Sequence, residues 1–268
     1  MSIYHDSFTY KGINSLDKDL IIVAFDADNG ETDTFLSMDN QLSDLKNGVS
    51  NDYGAKYNTQ ANIRVTLIRK DCKNFTQSQF YDVAKWLTGA KYSSWLDLYI
   101  GSDINYSFLC KCVDLKQYKM DARTIGVIAE FQSISPWAYS PIQYIGTQNQ
   151  TISGTQSFSI DVPSHDLYIP IFTDVEFSNT TGTSLSLSNK TLGMETKVNN
   201  LATSEKVTLK GSAQILYSSK DTRIFGDDFN YIWFQLCAGT NEVEITGNGT
   251  ITISYRYPIK AGDCVIDV

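Results

Sequence analysis

His5 and His165 are the only imidazoles in this 268-residue chain, so a nucleophile beside a general base has little to be built from. No Gly-x-Ser-x-Gly elbow and no phosphate-binding loop occurs either. Asp227 and Asp228, followed by Phe229 and Tyr231, could flank a glycosidic bond, although paired acids ahead of an apolar run more often make a turn. Trp233 sits inside that run and suits a sandwich core better than a sugar-stacking platform, which leaves it a weak candidate for ligand contact. Asp26, Asp28, Glu31 and Asp33 have the look of a calcium loop. Their register fails, because Gly30 stands one place too early and the twelfth position is Ser37 rather than Glu, so a solvated acidic loop is expected. Cys72, Cys110, Cys112, Cys237 and Cys264 show no disulfide-framework spacing, and two histidines do not complete a zinc site with them. The residues therefore point to no catalytic group, no metal and no cofactor.

What remains is a chain built to be positioned. With a net charge of -8 it lacks the basic surface that a non-specific nucleic-acid binder or an anionic membrane partner requires. The charge is unevenly spread: residues 1–60 carry ten acids against four bases, 61–140 seven against ten, and 141–268 thirteen against eight. Such segregation suits head-to-tail self-association, though it suits solvated faces as well. Sixteen Tyr and thirteen Phe among frequent Thr, Ser and Asn favour strands and turns. No apolar run is long enough to span a bilayer, and the N-terminus does not read as a signal peptide, so a cytoplasmic protein is expected.

One helix stands out, from Thr76 to Gly89. Thr76 with Gln79 makes a capping box, Gly89 is expected to stop the helix in a left-handed conformation, and Phe80, Val83, Ala84 and Leu87 form an apolar face that must lie on a sheet. The sheet is expected from Asp19–Phe25, Ile63–Arg69, Trp95–Ile100, Tyr106–Val113 and Thr124–Ile134, with 37–60 read as a long loop or arm. The run Asp19–Phe25 is apolar on both faces and predicts burial on both sides. Pro136, Trp137, Tyr139 and Pro141 mark an interdomain joint. Beyond it only short strands recur, at 156–162, 168–177, 183–187, 206–209, 214–217, 230–236, 241–245 and 250–257. Glycine turns separate several of them, among them the cluster Gly247, Asn248, Gly249, as in a β-sandwich.

The order of several motifs resembles the distal tail proteins of long non-contractile-tailed phages that infect Gram-positive bacteria. These are Phe8, Tyr10, Gly12, Asn14 and Ser15; the helix with Trp86 and Leu87; Glu130, Phe131 and Ser135 to Tyr139; and the ending from Gly239, Thr240 and Asn241 through Gly247 and Gly249 to Ile251, Ile253, Tyr255, Arg256 and Tyr257. The resemblance implies a mainly β protein: an N-terminal α+β tail-tube-like domain (1–135), a linker (136–141) and a C-terminal galectin-like β-sandwich (142–268). It implies a structural virion protein at the tail tip, assembled in the host cytoplasm as a homohexamer or two such rings back to back. The ring would join the major tail tube protein to the tail-associated hub protein and carry receptor-binding components. DNA would pass through without specific binding, and no part would insert into a membrane. An acidic lumen avoids phosphate contacts, so Asp26, Asp28, Glu31 and Asp33 are candidate lumen acids. No long insertion that would add a carbohydrate-binding module is seen. The alternative is a carbohydrate-binding β-sandwich with an N-terminal oligomerisation domain.

Overall fold

The computed structural model describes residues 6–23, 38–43, 51–57, 60–89 and 91–259. They fall into two compact units that meet in sequence between Pro141 and Ile142. In the first, β1 (Ser7–Tyr10), β2 (Ile13–Asn14) and β3 (Leu20–Ile22) open the chain. β4 (Met38–Ser43) and β5 (Asn51–Tyr57) pair only with each other among the described residues. β6 (Asn62–Arg69) leads into α1 (Gln77–Thr88), and β7 (Ser94–Ile100), β8 (Asp103–Met120), β9 (Arg123–Ser133) and the short β10 (Ala138–Tyr139) follow. The sheet runs β2-β1-β7-β8-β9-β6-β3, with β10 added to β8.

Alternation decides which face of this sheet is dry. Ile63, Val65 and Leu67 of β6 lie opposite Phe131, Ala129 and Val127 of β9, and all six are buried. Cys110 and Cys112 share one face of β8 as buried, small apolar residues. Helix α1 lies over the sheet through Val83, Trp86 and Leu87, whose burial contributes roughly 1.5–3 kcal/mol each. Trp86 stacks on Phe8 at 5.4 Å between ring centroids, and its Nε1 donates to the Tyr10 carbonyl at 3.1 Å. The capping box forms as expected: Thr76 Oγ1 accepts from the Gln79 amide at 3.3 Å, and Gln79 Oε1 from the Thr76 amide at 3.0 Å.

Three expectations change in this unit. Gly89 is not left-handed, having φ -72° and ψ 7°; glycine is needed there because a Cβ would run into the Lys85 carbonyl. The stretch 37–60 is not all loop, since β4 and β5 form a hairpin within it. A pair with no other strand beside it needs no strict apolar alternation, which is why periodicity missed it. Among the described residues β3 is an edge strand in which Leu20 is buried and Ile21 and Ile22 are half-buried, short of the two-sided burial expected; Ala24 and Phe25 of that run lie outside the described residues.

The second unit contains β11 (Gln143–Tyr144), β12 (Gln150–Val162), β13 (Ile171–Asn179), β14 (Leu185–Asn189), β15 (Met194–Val198), β16 (Lys206–Lys210), β17 (Ile215–Ser218), β18 (Gln235–Leu236) and β19 (Gly239–Tyr255). β19 organises the unit. Its first part pairs with β14, its last part with β13, and β12 follows it on the other side from Gly239 to Ile251. One strand thus belongs to both layers of a sandwich, β15-β14 in one and β13-β16-β17 in the other, with Val175, Phe177, Leu187, Val207, Leu209, Ile245 and Ile253 in the core between them.

The Gly247, Asn248, Gly249 cluster is therefore no turn. It is where β19 passes from one layer to the other. A Cβ on Gly249 would collide with the Ser178 carbonyl and the Phe177 ring, and Asn248 Oδ1 accepts from the Gly154 amide at 3.1 Å across the ladder. Residues 230–234 are irregular rather than strand, because Asn230 spends its side chain on the chain crossing it. Its Oδ1 accepts from the Lys197 amide and its Nδ2 donates to the Glu195 carbonyl.

Candidate assembly surfaces

Asp26, Asp28, Glu31 and Asp33, and Cys264, lie outside the described residues. The joint residues are gathered into the first unit. Trp137 is 2% exposed, Tyr139 pairs with Ser107 of β8, and its ring meets Trp95 edge-on at 5.3 Å. Pro136 and Pro141 bracket this anchored segment, and just before it Ser135 Oγ lies 3.3 Å from the Tyr139 hydroxyl. Trp233 packs edge-on against Phe229 at 5.1 Å and against the sandwich core, so no open aromatic platform is formed by it.

The acid pair is also engaged structurally. Asp228 accepts from Asn200 Nδ2 at 2.5 Å and pairs with Arg223 Nη2 at 3.1 Å. Arg223 in turn donates to the carbonyls of Asn199 and Asn200 and faces the fully buried Glu205 at 3.6 Å. Such a cluster holds the loop before Phe229 against the sandwich. Among the described residues, no three His, Cys, Asp or Glu side chains come together as a metal site, and no helix is long and apolar enough to cross a membrane.

The described residues also present firm surfaces. Between β12 and β13, Leu167 is 71% and Tyr168 92% exposed, yet their backbone is held by Asp166. Its Oδ1 accepts from the amides of Tyr168 at 2.8 Å and Ile169 at 3.2 Å, while Ser164 Oγ donates to the Asp166 carbonyl at 2.9 Å. The β8–β9 hairpin turns through Asp121 and Ala122, both at positive φ, and offers Met120 at its tip. A groove beside α1, walled by Leu20, Phe75, Val83 and Trp86, also holds cations, two of which are already used. Lys11 Nζ donates to the Trp86 carbonyl at 2.7 Å, and Arg69 to Gln79 Oε1 at 2.9 Å. Lastly, β12 pairs only with β19 among the described residues, so its outer edge is open.

Comparison with known proteins gives these surfaces their setting. Residues 3–135 match the family model described as phage tail protein N-terminal domain, and residues 137–255 the model described as phage tail C-terminal domain. The chain belongs to the phage tail proteins. Among solved structures, this tail protein is similar to the SPP1 Dit (gp 19.1) protein, described as a paradigm of the hub adsorption apparatus in Gram-positive infecting phages. The two share 12% identity with a TM-score of 0.56 over 94% of this chain and 98% of the other. It is also similar to chains of the phage P2 baseplate in its activated conformation, with calcium (10% identity, TM-score 0.61, 96% and 99% covered) and with strontium (9%, 0.59, 96% and 99%). No curated protein sequence matches. The resemblance to distal tail proteins read from the motifs holds at the level of family and fold, and the fold is mainly β as expected.

The residues that matter to a tail protein's surfaces were partly missed in the sequence. Asp166 looks like one more loop acid, although the prolines at 163 and 170 do bracket a stiff segment. β12 was expected to begin only at Gln156. Its first half is polar and interrupted by Gly154, and the one signal available was the scarcity of charge from Gln150 to Val162.

Proposed function

We propose that this tail protein forms a ring of six at the distal end of a phage tail. The ring joins the tail tube to the tail-associated hub protein and carries receptor-binding or baseplate components through its second unit. The observation that carries the reading is the continuity of both units with the SPP1 Dit protein over 94% of this chain, together with the matched phage tail models on each unit. The division near residues 135–141 then separates a ring-forming part from a part that bears other components. Solution mass tests the ring: six subunits of 30.0 kDa weigh about 180 kDa. A mass near 180 kDa or twice that supports it, and a mass that is no multiple of six, in the presence of the tube and hub proteins, overturns it.

The acids at 26, 28, 31 and 33 belong to the proposal as lumen residues. Neutralising all four slows DNA ejection and leaves the ring mass unchanged; normal ejection by such particles removes that part of the reading. The carbohydrate-binding alternative gains nothing from Trp233, which is turned into Phe229 and the core.

A further inference from the structure

Among the described residues, five strands of the sandwich, β11, β12, β15, β17 and β18, pair with one strand only, and they are treated differently. β15 carries Glu195 and Lys197, joined at 2.8 Å, and β17 is only four residues long. Charge and shortness are the ordinary means of keeping an edge from pairing with another chain. β12 has neither. It is 13 residues long, contains no Lys, Arg or Pro, and Asp161 is its only charged residue.

Its backbone is oriented for a partner. The Glu242 carbonyl accepts from Lys190 and the Glu242 amide donates to Thr191 Oγ1 at 3.0 Å, so Glu242 turns away from β12 and Asn241, Val243 and Ile245 turn toward it. Their register partners Ile160, Phe158 and Gln156 face back into the ladder. By alternation, the amides and carbonyls of Thr155, Ser157, Ser159 and Asp161 point outward. On the inner face, Phe158 and Ile160 pack against the core but stay only partly buried. The apolar layer at this edge is incomplete, as it is where a further strand belongs.

We propose that β12 is the seat of a two-fold contact between two copies of this chain, the run Gly154–Val162 of each lying antiparallel to the other about an axis through Phe158. The run is bounded by Gly154, at φ +79°, and by Pro163, and Phe158 is its midpoint. In that register Ser157 of one copy is opposite Ser159 of the other, and Thr155 is opposite Asp161. All of these residues have outward backbone groups, so each pair exchanges two hydrogen bonds. Phe158 meets its own equivalent on the inner face and Ile160 covers Gln156. No like charges oppose, which a self-pairing strand must satisfy along its whole length. The contact joins chains two by two across the axis, so it pairs two single copies or holds two rings of six together as twelve.

The test is the solution mass of the full-length chain and of two variants that alter exposed serines. Wild type is expected as two copies or as twelve. Ser157→Lys with Ser159→Lys places lysine opposite lysine and halves the mass, with an unchanged circular dichroism spectrum. Ser157→Glu with Ser159→Lys places opposite charges across the axis, and the mass returns. An unchanged mass for the double-lysine variant overturns the pairing, as does a wild type of one or six copies, which would leave the edge to a strand of another protein. A wild type of two copies whose mass the lysines halve would sustain the pairing while counting against a ring of six, so the two readings fail separately.

Discussion

In the first unit the element that covers the sheet is a helix, and its fastening is aromatic. Trp86 stacks on Phe8, while Phe131 meets both Phe8 and Tyr10 edge-on at 6.1 and 5.2 Å. In the second unit no helix of that kind is present among the described residues, and much of the fastening is polar. Asn189 Nδ2 donates to the Gln235 carbonyl and to Asn241 Oδ1, Asn241 Nδ2 donates to the carbonyls of Cys237 and Gly239, and Asn179 ties Gly182 to Ala202. Glu205, fully buried, accepts from the Ala202 amide and from Ser218 and faces Arg223. Aromatic packing tolerates some adjustment. A buried polar weld does not, because losing one partner leaves the other desolvated and unpaired.

The largest effect expected from this contrast is on the first unit. Trp86→Ala removes the stacked ring and its hydrogen bond and costs about 3–5 kcal/mol there. Chemical denaturation followed by a probe in each unit should show the first transition move and the second stay; a shared shift would mean that the fastenings are not separate. Arg223→Ala, which leaves Glu205 without its cation, costs about 3 kcal/mol in the second unit. Adding Glu205→Gln should recover part of that loss, and strictly additive losses would argue against a weld.

Alkaline pH separates the units more finely. Burial pushes the Cys112 thiol up to about 11 and the Tyr10 hydroxyl up to about 12, and raises Cys110 as well. In the unfolded chain these groups ionise near 9 for the thiols and 10 for the phenol, so the unfolded state releases its protons first. Their contribution is whole below pH 9 and declines from there to about pH 11 for Cys112, a loss of about 3 kcal/mol for that group. In the second unit the raised groups are Tyr255 and Tyr257, so its decline begins near pH 10. Urea melts across pH 8 to 11 should find the first unit weakening earlier, and Cys110→Ala with Cys112→Ala should move that onset upward. Smallest is the helix cap: Thr76→Ala costs about 1 kcal/mol, and a loss near zero would show that packing alone keeps the helix in place.

The same contrast explains what could be read from the sequence. The helix was legible because Thr76, Gln79, Val83 and Leu87 act through local spacing, and the strands of the first sheet through alternation. Trp86 lay off the stripe Phe80, Val83, Ala84, Leu87, yet it is the residue that reaches Phe8. In the second unit Asn179, Asn189 and Asn241 have the composition of loops. Their burial depends on carbonyls dozens of residues away, which no local pattern reports. Gly247 and Gly249 were read as a turn because glycine pairs usually mark one; here they let a strand pass close to Phe177. Trp137 and Tyr139 stood out in the sequence as joint residues and pack within the first unit, whereas the β12 edge is defined by charges that are missing.

The position of β19 in the chain has a consequence for synthesis. The strand path β2-β1-β7-β8-β9-β6-β3 of the first sheet closes within residues 7–133, so those seven strands can pair while the ribosome is still making the second unit. The sandwich cannot do the same. β13 and β14 can pair early with β16 and β15, but β12 leaves the ribosome long before Gly239–Ile251, and the ladder that links β13 to it through β19 waits until Tyr255 has been added. For that interval β12 is exposed along both edges, and nascent chains on one message carry their unfinished strands side by side.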